Sequence, residues 1–239
     1  MRVNWNKWKL IGLCVGITGL YAFAEARNEQ RGISGIRVEF TEPEALYMTE
    51  ATVNKLLIQK YGALQNVPKD AIVLNAIESV LRSHEMVKSA QVYLTIDGEL
   101  NAKITQRHPI GRVAGGRDFY LDDQGKQMPL SPLHSARVPI ITGKITGKSL
   151  EDAYVILKYI NEDPFLSKNV IGIHIEEEDD YRLKFRLEPF VVRLGGVEDL
   201  DQKFDNFKAF YAKAAQDKTL AHYQMVSLEF ENQVVCTKI

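Results

Sequence analysis

"AQVYLTIDGELNAKIT", residues 90–105, reads as two strands and a turn. Ala90, Val92, Leu94 and Ile96 alternate with Gln91, Tyr93 and Thr95; after Asp97-Gly98, Leu100, Ala102 and Ile104 alternate with Asn101, Lys103 and Thr105. A period of two on both sides predicts strands with one apolar face each. The Asp-Gly dipeptide predicts a two-residue hairpin turn, whose positive φ angles match the strand twist.

Upstream, "ISGIRVEF" (33–40) predicts a strand with Ile36, Val38 and Phe40 on one face. "TEATVNKLLIQKYG" (49–62) predicts a helix with Thr49 as N-cap, Val53, Leu56, Leu57 and Tyr61 sharing a face, and Gly62 at its C-terminal end. Leu74, Ile77, Val80 and Leu81 place a second amphipathic helix at about 70–83. The order strand, helix, helix, strand, strand describes a small α+β domain whose sheet hides one face under two helices.

Downstream, the basic stretch "QRHPIGRV" (106–113) is where the hairpin's second strand leaves this domain. Pro109 has no N–H for a ladder, so pairing stops or shifts there. From there to residue 239 the pattern is β-rich. Strands are expected within 118–130, 137–143, 170–176, 181–188 and 190–196, with Ile171, Ile173, Ile175, Leu183, Phe185 and Leu187 inward. A helix is expected over 149–162, opened by a capping box of Ser149 and Asp152 and ended by Pro164. A second, over about 197–215, carries Leu200, Phe204, Phe207, Phe210 and Tyr211 on one face. A final strand is expected over about 224–238.

The N-terminus differs in kind. Arg2, Lys7 and Lys9 precede an uncharged run from Leu10 to Ala24, and no acidic residue occurs before Glu25. Those flanks place the short N-terminus in the cytoplasm and the bulk of the chain across the membrane. Trp5 and Trp8 suit a membrane interface, which favours a retained anchor, and Ala22-Phe23-Ala24 leaves a cleaved signal peptide as the alternative. The domain plan is a stub at 1–9, an anchor at 10–24, a tether at 25–32, a small domain at 33–107 and a second domain at 108–239.

Composition excludes several classes. Thirty Lys+Arg against thirty-one Asp+Glu give a net charge of −1, so bulk charge does not point to nucleic acid. The two cysteines, Cys14 in the apolar run and Cys236 near the C-terminus, make no disulfide framework. The five histidines have no metal-site spacing, and no nucleotide-binding or nucleophile-elbow motif occurs. His174, between Ile173 and Ile175, is expected to face solvent, and "EEEDD" (176–180) reads as a solvated turn. No catalytic, cofactor or metal residue is assigned, and no small-molecule substrate is expected.

Four segments in order resemble the FtsQ/DivIB family of bacterial cell-division proteins. They are "MVKSAQVYLTIDGELNAKITQRHPIGRV" (86–113), "FYLDDQGKQM" (119–128), "VPIITG" (138–143), and "VVRLGGVEDLDQKFDNFKAFY" with "VSLEFENQVVC" near the end. The hairpin departs from the family's aromatic-Pro turn, and Glu229-Phe230 stands where the family has Arg-Tyr. The resemblance implies a fold of transmembrane helix, β-α-α-β-β POTRA domain and a mixed α/β "β domain" with a largely antiparallel sheet and a C-terminal edge strand. It also implies a non-enzymatic scaffold in the cell inner membrane at the division septum, holding FtsB-like and FtsL-like bitopic coiled-coil partners. Carried over by position, the partner strand comprises Leu228, Glu229, Phe230, Glu231, Asn232, Val234 and Val235. Arg107 and Pro109 would lie at the junction between the domains. A secretion-type POTRA protein and an exported enzyme with an unrecognised site are the alternatives.

Overall fold

The computed structural model describes residues 5–29, 32–43, 46–65, 67–177, 179–231 and 233–239. Arg2, Gln30, Arg31, Glu178 and Asn232, and the side chains of Trp5 and Lys7, lie outside that description. Helix α1 (Trp5–Glu29) runs past both ends of the uncharged segment. Its 25 residues measure about 37 Å at 1.5 Å per residue, more than the ~30 Å of a hydrocarbon core. The uncharged run, too short by itself, is thus extended by helix on both sides, and Trp8–Glu25 is long and apolar enough to cross a membrane.

The chain divides into two compact units, Met1–Gln106 and Arg107–Ile239. In the first, β1 (Gly35–Phe40), α2 (Glu50–Tyr61), α3 (Leu74–Arg82), β2 (Val87–Leu94) and β3 (Glu99–Gln106) follow the expected order. The sheet order is β1-β3-β2, with β1 parallel and β2 antiparallel to β3. Leu100, Ala102 and Ile104 on the central strand are fully buried, together with Val53 and Leu57 of α2 and Leu81 of α3. Thr49 caps α2 by accepting the Thr52 N–H, as its position predicts.

Two local expectations change. The hairpin turn is a three-residue loop, Ile96-Asp97-Gly98: Gly98 N donates to Thr95 O and Thr95 N to Glu99 O. Only Gly98 has a positive φ, +87°, whereas a two-residue turn of the expected type needs one at Asp97 as well. Ile96, read as part of the apolar face, is therefore carried out into solvent at 89% exposure. Helix α3 starts at Leu74 because Ile72 and Val73 are extended, a conformation that β-branched side chains favour, after a single 3-10 turn at Lys69–Ala71.

The second unit is built on one nine-stranded sheet ordered β12-β11-β10-β9-β8-β7-β4-β5-β6. Its strands are β4 (Pro109–Val113), β5 (Phe119–Asp122), β6 (Gln127–Met128), β7 (Ile140–Gly143), β8 (Val170–Glu177), β9 (Asp180–Phe185), β10 (Val191–Gly195), β11 (Tyr223–Ser227) and β12 (Val235–Lys238). The pairs β4–β7, β7–β8 and β10–β11 are parallel and the others antiparallel. The inner face buries Ile173, Ile175, Leu183, Phe185, Val192 and Val226 against α4 (Gly147–Glu162), α5 (Pro164–Asn169) and α6 (Leu200–Gln216). Tyr159 of α4 stacks on Phe204 of α6 at 4.9 Å, and Phe207 packs on Phe185 at 5.1 Å. The opposite face carries exposed His174 and Lys184, the alternation expected of a sheet with one wet face.

Four expectations for this unit are corrected. Helix α4 is capped by Thr146, not Ser149; Ser149 closes the box as the third helical residue and is buried. Asp152, freed from capping, accepts Tyr181 Oη at 2.7 Å. Pro164 begins a helix, because Asp163 caps α5 and a proline suits the first helical position. Strand β9 ends at Phe185, so Leu187 is 78% exposed and Phe190 fills the core instead. The expected long last strand is two antiparallel strands joined by residues 228–234. A strand of about fifteen residues exceeds the usual ten, and the chain reverses between Ser227 and Val235.

Candidate partner-binding edge

The two strands that close the second unit position an open rim. Val226 of β11 is buried in the core, Leu228 just beyond it is 2% exposed, and Val234 and Cys236 pack against the same cluster from the other arm. Met225 pairs with Thr237, Val226 with Cys236 and Ser227 with Val235. Leu228 N donates to Arg193 O on β10, and Ile239 N donates to His222 O beside β11. Backbone groups alternate along a strand, so Val235 and Thr237 face β11 while the N–H and C=O of Cys236 and Lys238 face away. Among the described residues, strand β12 is the end of the sheet and pairs with β11 alone. An end strand with outward backbone groups is a template for another strand.

Beside the rim, the outer face holds a groove of about 550 Å³ over β8 to β12. Val191 and Met225 contribute apolar surface, and His174, Glu176, Arg182 and Lys184 contribute polar groups. An amphipathic segment suits such a lining. Asp180, nearby, anchors two arginines: burial acts to raise its pKa, and hydrogen bonds from Arg193 and Arg182 outweigh that and hold it below the ordinary carboxylate range. A group ionised more readily when folded contributes stability that is present above its unfolded value of about 3.9 and lost as pH falls through the folded one. The melting temperature of the second unit is therefore expected to stay level from pH 8 to 5 and to fall below about pH 4, with a shallower acid limb in Asp180→Asn. The Cys236 thiol is pushed up by burial and stays protonated at neutral pH.

The residues proposed from sequence are distributed unevenly. Leu228 is a core residue, and Val235 is in β12 with its side chain 42% exposed. Glu229, Phe230, Glu231 and Val234 belong to the connection, where Phe230 is half-exposed and Glu229 is ion-paired to Arg193. The residues whose backbone faces outward, Cys236 and Lys238, were not singled out; a Val-Val-Cys-Thr run after a polar turn was the available signal. Arg107 turns into the second unit, 3.5 Å from Asp122 Oδ2 and donating to Gln127 O at 3.4 Å. Pro109 opens β4 opposite Asp122, and the register shifts between it and Gly111. Among the described residues no group of three His, Cys, Asp or Glu is placed to hold a metal.

The model for a POTRA-like domain matches residues 35–105, and the model described as FtsQ/DivIB, C-terminal related, matches residues 108–237, more than half of the chain. The chain belongs to the FtsQ/DivIB family. No curated protein matches it. In this FtsQ/DivIB protein the two matched domains support a cell-division scaffold, and POTRA and FtsQ/DivIB domains are typically non-enzymatic. Helix α1 fits the single-pass anchor of an FtsQ-like protein.

Proposed function

We propose that this FtsQ/DivIB protein is a non-enzymatic bitopic scaffold that captures FtsB-like and FtsL-like coiled-coil proteins at the septum by adding their strand to β12. The outward backbone groups of Cys236 and Lys238 carry this reading. The groove over Val191 and Met225 gives the added strand's flanking segment an apolar seat, with Lys184 as a countercharge. Arg2, Lys7 and Lys9 favour a cytoplasmic N-terminus and a periplasmic bulk. Arg107 and Pro109, beside the division between the units, are read as setting the angle between domains.

Capture of an FtsB-like protein by the full-length chain in detergent tests the reading. Retention is the expected result, and a washed-out partner would refute it. Phe230→Asp, at a half-exposed position of the connection, is expected to weaken capture by roughly fivefold, about 1 kcal/mol. The full-length chain is expected to stay in the membrane fraction after an alkaline wash; its release in shortened form would indicate a cleaved signal. Arg107→Ala is expected to alter the solution-scattering profile, and an unaltered profile would remove its interdomain role.

A further inference from the structure

Polar side chains on the outer face form one connected chain across the strands. Thr142 of β7 bonds His174 Nδ1 at 2.9 Å, His174 Nε2 lies 3.4 Å from Glu176, and Glu176 lies 3.2 Å from Arg182. Arg182 donates to Asp180 at 3.4 Å, and Arg193 grips the same carboxylate through Nε and Nη2, each at 3.2 Å. The chain ends on Glu229: its Oε2 lies 3.3 Å from Arg193 Nη1 and accepts Ser227 Oγ at 3.1 Å. Glu229 is the one member in the connection; the rest belong to strands.

Arg193 thus holds the connection twice, once through this carboxylate and once through its own carbonyl, which accepts Leu228 N at 2.8 Å. Gly195 makes room for the contact. A Cβ there would stand 2.9 Å from Glu229 Cγ, and its φ of +69° is one that glycine adopts without strain. We propose that Arg193, Glu229 and Ser227 form a latch fixing where the connection leaves the sheet, and with it the register of the edge strand β12. Its bearing on partner capture rests on the strand-addition reading above.

The physical need is plain. Strand β12 has four residues and one neighbour, so few ladder bonds hold it, and such elements open locally at low cost. A partner strand must meet β12 in one register, since a slip of one residue exchanges its two faces. Anchoring the residue that begins the connection shortens the free loop before β12 and reduces the arrangements open to it. Glu229 is thereby occupied within the chain, which assigns it a positioning role instead of a direct partner contact.

Hydrogen exchange of the full-length protein in detergent, residue by residue, tests the latch, with capture of an FtsB-like protein measured in parallel. Arg193→Gln and Glu229→Gln are each expected to speed exchange at Leu228, Val235 and Thr237 about fivefold, with β8 amides unaffected. The double variant is expected to gain no more than Arg193→Gln alone, because that change already breaks the contact to Glu229. Unaltered exchange in the single variants, equal acceleration over the whole sheet, or additive effects would overturn the latch. Local, non-additive acceleration with a matching loss of capture supports it fully. The same acceleration with undiminished capture supports the latch and counts against strand addition at β12.

Discussion

Lys238→Pro combined with Cys236→Pro is expected to reduce capture of an FtsB-like partner at least about 30-fold while leaving the second unit folded. Proline removes a backbone N–H and places its ring where an added strand would lie, and edge strands tolerate it when that N–H faces away from the sheet. The N–H groups of Cys236 and Lys238 face away from β11; those of Val235 and Thr237 form the ladder. Each blocked position forfeits a hydrogen bond and strands a desolvated partner carbonyl, about 1–3 kcal/mol apiece. Two positions therefore cost about 2–6 kcal/mol, and tenfold in affinity is 1.4 kcal/mol. Lys238→Pro alone is the cleaner change, since Lys238 is exposed while Cys236 packs partly against the core. Thr237→Pro is the contrasting control: it breaks a ladder bond of the protein itself and should release β12 even without partner. Circular dichroism and capture measured on the same preparations check all three.

Arg107→Ala is expected to destabilise the second unit by about 3–5 kcal/mol, through the only countercharge found beside a buried carboxylate among the described ion pairs. The Asp122 side chain is 0% exposed and that of Arg107 is 17% exposed. Asp122 Oδ1 accepts Gln124 N at 2.9 Å and Lys126 N at 2.8 Å, which shapes the turn between β5 and β6. Among the described residues its Oδ2 has no hydrogen-bond partner, and it faces Arg107. Removing the guanidinium leaves half of a dry carboxylate uncompensated, a far larger penalty than the loss of a surface pair. The melting temperature of this unit should fall by roughly 10–20 °C. Arg107→Lys should fall in between, since it keeps the charge without the planar fork. Arg107→Ala with Asp122→Ala should cost less than the sum of the two. Additive losses would show that the two side chains act independently.

These two residues also show how far sequence reasoning reaches. The small domain was legible because its two helices and its hairpin each carry an unbroken apolar period. Leu100, Ala102 and Ile104, read as one face, are all fully buried. The turn was misjudged because Asp-Gly serves both two-residue and three-residue loops, and the difference lies in the φ of Asp97. In the second unit the inner faces of β8 and β9 were legible from Ile173 to Phe185, while a register shift after Val170 buries Val170 instead of the expected Ile171; periodicity cannot signal such a shift or a reversal. Val226, Leu228 and Phe230 keep alternating across the point where β11 ends. The family pattern located the closing segment correctly and not its backbone geometry. Arg107 stood out as basic, yet its partner Asp122 ends strand β5, and no spacing in the sequence signals that the two meet. The Arg193–Asp180–Glu229 contacts join three segments far apart in the chain, and such pairings follow only from strand order.

Backbone hydrogen exchange at β12, with and without an FtsB-like partner, tests the central claim most directly. In the free protein Val235 and Thr237 should already be protected by β11, with Cys236 and Lys238 exchanging freely. On binding, Cys236 and Lys238 should become protected by at least tenfold, with little change at Val235 and Thr237. A complex that forms while Cys236 and Lys238 exchange as fast as in the free protein would contradict strand addition at this edge.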